Sequence, residues 1–109
     1  HVIYLSKGWQ KRDFLYLTDA VKGITQVIIN FEKLQGNLNI ILGSGFSVTV
    51  RELSRELKRI SMSKANLIFD GSKQEPTRLI NRSRYPKLQE LIDWEPKVSL
   101  FQGLSEYEY

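Results

Sequence analysis

The 109-residue chain has no cysteine, which removes disulfides and thiolate metal sites from consideration. The same absence fits a reducing compartment, and a cytoplasmic location is expected. Its one histidine is His1, at the very terminus, so neither a His-based triad nor a His metal cluster can be built. No apolar run approaches the ~20 residues of a membrane-spanning helix. The opening HVIYL is too short and wrongly flanked for a signal peptide. Repeats and low-complexity tracts are missing too. Acidic residues are in the minority, 12 against 16 Lys and Arg, for a net charge of +4. Between Gly71 and Leu88 stand Lys73, Arg78, Arg82, Arg84 and Lys87 against Glu75 alone, so this one segment carries the whole excess. An anionic partner is one reading of that segment; arginines facing solvent on a loop are the other.

What is present suffices for a modest core: 41% hydrophobic residues, 26% charged and two tryptophans. Residues 1–109 are expected to form a single domain, or a fragment of a larger one. The chain is organised around Asn37 to Ile60. Leu38, Ile40 and Leu42 suit a mostly buried strand, Gly43 and Gly45 a tight turn, and Val50, Leu53, Leu57 and Ile60 one helical face. Thr49 and Glu52 are spaced as a capping box. A Gly-x-Gly turn between strand and helix invites a phosphate-binding reading, but the dinucleotide fingerprint needs a small residue where Val48 stands. The capping box also starts the helix several residues beyond the glycines. A tight connection is the better reading.

Around this centre, Val2 to Leu5 reads as a strand without an evident partner, and Asp13 to Leu17 as another. Thr18 or Asp19 is expected to cap a helix carrying Val21, Ile24, Val27, Ile28 and Phe31 as an apolar stripe. Ala65 to Asp70 reads as a further strand. A last helix is expected after a Ser83 cap with Pro86 in its first turn, stopped by Trp94-Glu95-Pro96, with a terminal helical turn near Gly103. Trp94 is expected in the core and Trp9 exposed or half-buried. Arg51, Arg55 and Arg59, set against Glu52 and Glu56, read as a wet helix face. The fold class is α/β, with short strands alternating with helices.

Four segments, in order, resemble the C-terminal third of the extended short-chain dehydrogenases/reductases, the nucleotide-sugar epimerases and dehydratases. KRDFLYLTDAVKGI (11–24) looks like that family's Arg-Asp-aromatic strand and acid-capped helix. LNIILGSGFSVTVREL (38–53) is similar to its strand, Gly-Ser-Gly turn and Val-Arg-Glu-Leu helix. EPTRLINRSR (75–84) resembles its Pro-x-Arg run, and LIDWEPKVSLFQGL (91–104) its Trp-x-Pro ending. The resemblance implies the fold of that family's C-terminal, substrate-binding part, without the Rossmann cofactor domain. In the family that domain binds NAD or NADP, and a Tyr-x-x-x-Lys pair carries proton and hydride transfer. Here Gly8, Ala20 and Gln89 stand four places after Tyr4, Tyr16 and Tyr85, so this chain is expected to hold no cofactor and to run no turnover alone.

By the same resemblance, Arg12 and Arg78 match arginines that meet the substrate diphosphate, where two planar guanidinium forks suit two phosphates. For Arg12, pairing with Asp13 or Asp19 is the competing reading. Asn81 stands where many relatives carry an acid near the nucleotide ribose. Thr18 replaces an acid of the family's paired cap, and Asp93 a glycine before Trp94. The implied partners are a nucleotide-diphosphate sugar and the N-terminal Rossmann part, with self-association expected when that part is missing. A small basic module for nucleic acid is the runner-up, motivated by the 71–88 segment and a pI near 9.4. A structural fragment without a ligand is the third reading.

Overall fold

Residues 1–36, 39–71 and 84–109 are described from a computed structural model. In chain order the elements are strands β1 (Val2–Leu5) and β2 (Lys11–Asp13), then helix α1 (Leu17–Ile29), followed by a 3-10 turn at Phe31–Leu34. Next come β3 (Ser47–Thr49), α2 (Val50–Ile60) and β4 (Asn66–Phe69), and last α3 (Leu88–Leu91) and α4 (Leu100–Ser105). The α/β class expected from the patterning is the one observed. The chain divides into two compact units. One comprises residues 1–12, 47–79 and 101–109, the other 13–46 and 80–100.

In the first unit, β1 and β4 pair in parallel, with Val2 opposite Asn66 and Leu5 opposite Phe69. The partner that Val2–Leu5 lacked in the sequence is thus the distant 65–70 segment. A parallel pair needs a long crossover, so no local turn could announce it. The short β2 pairs with β3, a strand that the sequence pattern did not reveal. Helix α2 follows at once and opens on the expected capping box. The Glu52 N–H donates to Thr49 Oγ1 at 3.0 Å, and the Thr49 N–H donates to Glu52 Oε2 at 2.6 Å. That return bond holds the Glu52 carboxyl below its ordinary pKa. Val50, Leu53, Leu57 and Ile60 are all half-buried.

In the second unit the core gathers around Leu34, Leu88 and Trp94, the buried apolar side chains among the described residues. Gly23 of α1 lies against them so closely that a Cβ there would stand 2.5 Å from Leu42 and 3.2 Å from the Trp94 ring. The expected strand at 38–42 is reduced, among the described residues, to one parallel bridge between Ile41 and Lys87, with Asn37 and Leu38 outside them. There the Ile41 N–H donates to Pro86 O at 2.8 Å and the Leu88 N–H to Ile41 O at 3.0 Å. Helix α3 starts after Pro86, not at Ser83, which lies outside the described residues.

Two expectations about 13–19 are corrected. The strand ends at Asp13, and α1 begins at Leu17 behind Tyr16, whose side chain makes no capping bond. Asp19 does not cap either. It is buried at 1% exposure and accepts the N–H groups of Lys97 (3.1 Å) and Val98 (2.9 Å). The segment after Trp94-Glu95-Pro96 has no regular partner for those N–H groups, and a buried carboxylate must be hydrogen-bonded. That demand outweighs the local cap. The outer side of α1 is bare: Leu17, Val21, Ile24, Ile28 and Phe31 are each more than half exposed. No helix among the described residues is long and apolar enough to cross a membrane.

Candidate functional site

The first unit brings basic and aromatic side chains together where its parallel strands end. Leaving β1, the chain passes through Lys7 and Gly8 to Trp9; leaving β4, it passes from Phe69 to Gly71. Gly8 is buried with φ +72°, a left-handed conformation that favours glycine, and its carbonyl accepts the Arg51 N–H at 3.0 Å. The Arg51 side chain from the first turn of α2 returns over the loop. Its Nε donates to Lys7 O at 2.9 Å, and its guanidinium lies 4.0 Å from the Trp9 ring centre and 4.5 Å from that of Phe69. Cation–π contacts of this length hold a long side chain in one place. Arg51 is therefore not part of a wet ridge. Arg59 does pair with Glu56 at 2.6 Å on the exposed side.

Three residues beyond Trp9, Arg12 sits half-buried on β2, and its Nη1 donates to Lys11 O at 2.8 Å. The two carboxylates expected as its competitors accept backbone N–H groups, Asp19 as described and Asp13 from the glycine turn. Arg78 and Asn81 lie outside the described residues, so the three expected substrate residues are not seen together. Arg84 is exposed, 5.9 Å from the Tyr85 ring. Among the described residues no three His, Asp or Glu side chains cluster as a metal site.

The Gly43–Gly45 turn is the segment whose pattern invites a phosphate, and its residues do not fit one. Asp13 accepts the Ser44 N–H at 2.9 Å and the Gly45 N–H at 3.0 Å, and it also accepts the Ser44 hydroxyl. A carboxylate of the chain itself fills the anion position. Gly43 has no side chain because a Cβ would lie 2.6 Å from Asp13 Oδ2. Gly45 has φ +87°. Two open polar hollows flank α1 in the second unit, of about 390 Å³ beside Asn30 and Glu90 and about 350 Å³ beside Lys22 and Trp94. None of the expected site residues lines either.

Comparison with known proteins gives a consistent result. No family model matches the chain. It is 31% identical over 107 residues to a probable GDP-L-fucose synthase 1 of Oryza sativa subsp. japonica, covering 96% of this chain and 30% of that protein. A putative GDP-L-fucose synthase 2 of Arabidopsis thaliana is 30% identical, over 99% of this chain and 32% of its own length. The chain thus spans about a third of the length of the curated relatives it matches. Among solved structures, the GDP-mannoheptose C4 reductase of Campylobacter jejuni with NADP bound superposes with a TM-score of 0.71 at 22% identity, over 95% of this chain and 32% of that one. A UDP-galactose 4-epimerase gives 0.67 at 18% identity, over 96% and 33%. At such identities the structures establish the fold. The nucleic-acid reading draws no support from these relatives.

Proposed function

We propose that this chain, which corresponds to the C-terminal portion of an extended short-chain dehydrogenase/reductase, contributes the nucleotide-sugar binding surface of such an enzyme and none of its redox chemistry. The observation that carries this reading is the match of nearly the whole chain to enzymes named for GDP sugars, at 30% identity or above. Arg12 is its nearest residue-level support: a half-buried residue whose two candidate acids both accept backbone N–H groups. Its guanidinium fork is suited to a diphosphate oxygen pair. Arg78 and Asn81 complete the proposal as a second fork and a ribose contact. The cofactor, NAD or NADP, would be held by a separate cofactor-binding portion, because the Gly43–Gly45 turn is closed by Asp13. The bare apolar side of α1 is the surface on which that portion would rest.

Calorimetric titration of the 109-residue chain with GDP, UDP and inorganic pyrophosphate tests the reading. Binding of the diphosphates is expected, weakened about tenfold or more by Arg12→Ala, since a charge-assisted hydrogen bond contributes ~1.5–3 kcal/mol. Unchanged affinity in Arg12→Ala, or no diphosphate binding at millimolar concentration, would refute it.

A further inference from the structure

We infer that the exposed face of Trp9 is a stacking platform for the nucleobase of a nucleoside diphosphate, held in position by Arg51. The inference rests on the nucleotide-sugar reading above and deepens it by assigning a base contact. Trp9, Arg51 and Phe69 all belong to the first unit. In open parallel sheets ligands settle at the carboxyl ends of the strands, and Trp9 stands just beyond the end of β1. The ring remains 61% exposed although Arg51 packs on it at 4.0 Å. A tryptophan serving only as a fastener would turn inward and bury its large apolar surface. Here the indole is fixed through Arg51 yet open to solvent, so little side-chain freedom is left to lose when a ring stacks on it.

The fastening is redundant. Arg51 is clamped between Trp9 and Phe69, its Nε is bonded to Lys7 O, and Gly8 admits the α2 backbone because a Cβ there would lie 3.1 Å from Arg51 N. Besides Arg51, two further cations belong to this cluster. Lys7 lies across Gly71, where a Cβ would stand 2.8 Å from its Cγ and Cε. Arg55 reaches to 5.7 Å from the Phe69 ring. Glu52, the acid near Lys11 and Arg55, accepts the Thr49 N–H. An aromatic ligand carrying negative charge suits this surroundings better than a neutral one. Arg12 lies three residues along the chain from Trp9, at most about 11 Å even if fully extended. A nucleoside diphosphate is long enough to span that distance, and the proposal sets its base on Trp9 and its phosphates at Arg12. Arg51 acts through Trp9 and is a positioning residue.

The test compares GDP with inorganic pyrophosphate, which has the phosphates and no base, on the parent chain, Trp9→Ala and Trp9→Phe. Stacking on an aromatic ring predicts that Trp9→Ala weakens GDP about tenfold, leaves pyrophosphate unchanged, and that Trp9→Phe restores most of the loss. On the parent chain GDP, and not pyrophosphate, should also protect tryptophan fluorescence from acrylamide quenching, a readout that needs no variant to fold. If both ligands bind and neither Trp9→Ala nor quenching separates them, the platform is refuted while the diphosphate reading stands. If the parent chain binds neither ligand, both fall.

Discussion

Replacing Asp19 tests a tertiary link made by the buried carboxylate of the second unit. Its carboxylate, 1% exposed, receives the Lys97 and Val98 N–H groups 78 and 79 positions away, and so ties α1 to the segment beyond Trp94. Asp19→Ala strands two part-buried donors, each costing up to about 1–3 kcal/mol. Allowing for partial rehydration, the expected loss is about 2–5 kcal/mol, a large share of the ~5–15 kcal/mol that holds an ordinary domain together. Asp19→Asn keeps the shape and one acceptor oxygen but gives up charge assistance, worth about half the bond. Its loss should be ~1–2 kcal/mol. Urea unfolding followed by Trp94 fluorescence reads the effect, since Trp94 is 8% exposed and lies three residues before Lys97. A Trp9→Phe background silences the other indole. An alanine variant within ~0.5 kcal/mol of its parent, or an asparagine variant as costly as alanine, would refute the account.

The bare side of α1 predicts association of the isolated chain with a second copy. Leu17, Val21, Ile24, Ile28 and Phe31 are spaced four and three apart as in a helix-pair seam. They offer on the order of 500 Å² per copy, about the ~1,000 Å² total that a specific pair needs. Sedimentation equilibrium should find a dimer that Ile24→Lys with Ile28→Lys abolishes, and a clean micromolar monomer of the unaltered chain would be contrary. Thr49→Ala should cost about 1 kcal/mol by helical circular dichroism on thermal unfolding. The folded Glu52 pKa is depressed, so the box stabilises above the ordinary glutamate pKa and fades as pH falls through the lowered one. The gap between Glu52→Ala and parent should therefore shrink on acidification, and a constant gap would count against the box. Gly23→Ala places a methyl 2.5 Å from Leu42 Cδ1, and overpacking should lower stability by ~1–3 kcal/mol in the same urea assay.

Local chemistry was legible where its partners were near in sequence. Thr49 and Glu52 are three residues apart and form the box as read. The helix at 17–29, the strand at 66–69 and the terminal turn at Gly103 followed from periodicity and turn residues. Trp94 is buried, as its position at a helix-stopping segment implied. Where the partner was distant, the reading failed in a consistent way. Asp19 looked like a cap because its competitors for hydrogen bonds, 78 and 79 positions on, carry no side-chain signature: they are backbone N–H groups. Val2–Leu5 looked unpaired for the same reason. The stack of Trp9, Arg51 and Phe69 was hidden because it exists only once β1 and β4 are side by side.

The glycine turn shows how one distant residue decides between two chemistries that share a motif. Gly43-Ser44-Gly45 presents adjacent N–H groups whether it serves a phosphate or a plain turn, and the missing small residue at Val48 argued only against the first. What settles the matter is Asp13, 31 residues before Ser44, which takes those N–H groups with its own negative charge. A second anion there would meet both occupied donors and electrostatic repulsion. Under the proposed function an anionic ligand would be met by side chains instead of this backbone nest, and Arg12 is the one proposed. The same substitution of carboxylate for phosphate that closes the turn also commits the acid beside Arg12. Asp13→Asn would loosen both at once, which makes it a less discriminating probe of binding than Arg12→Ala.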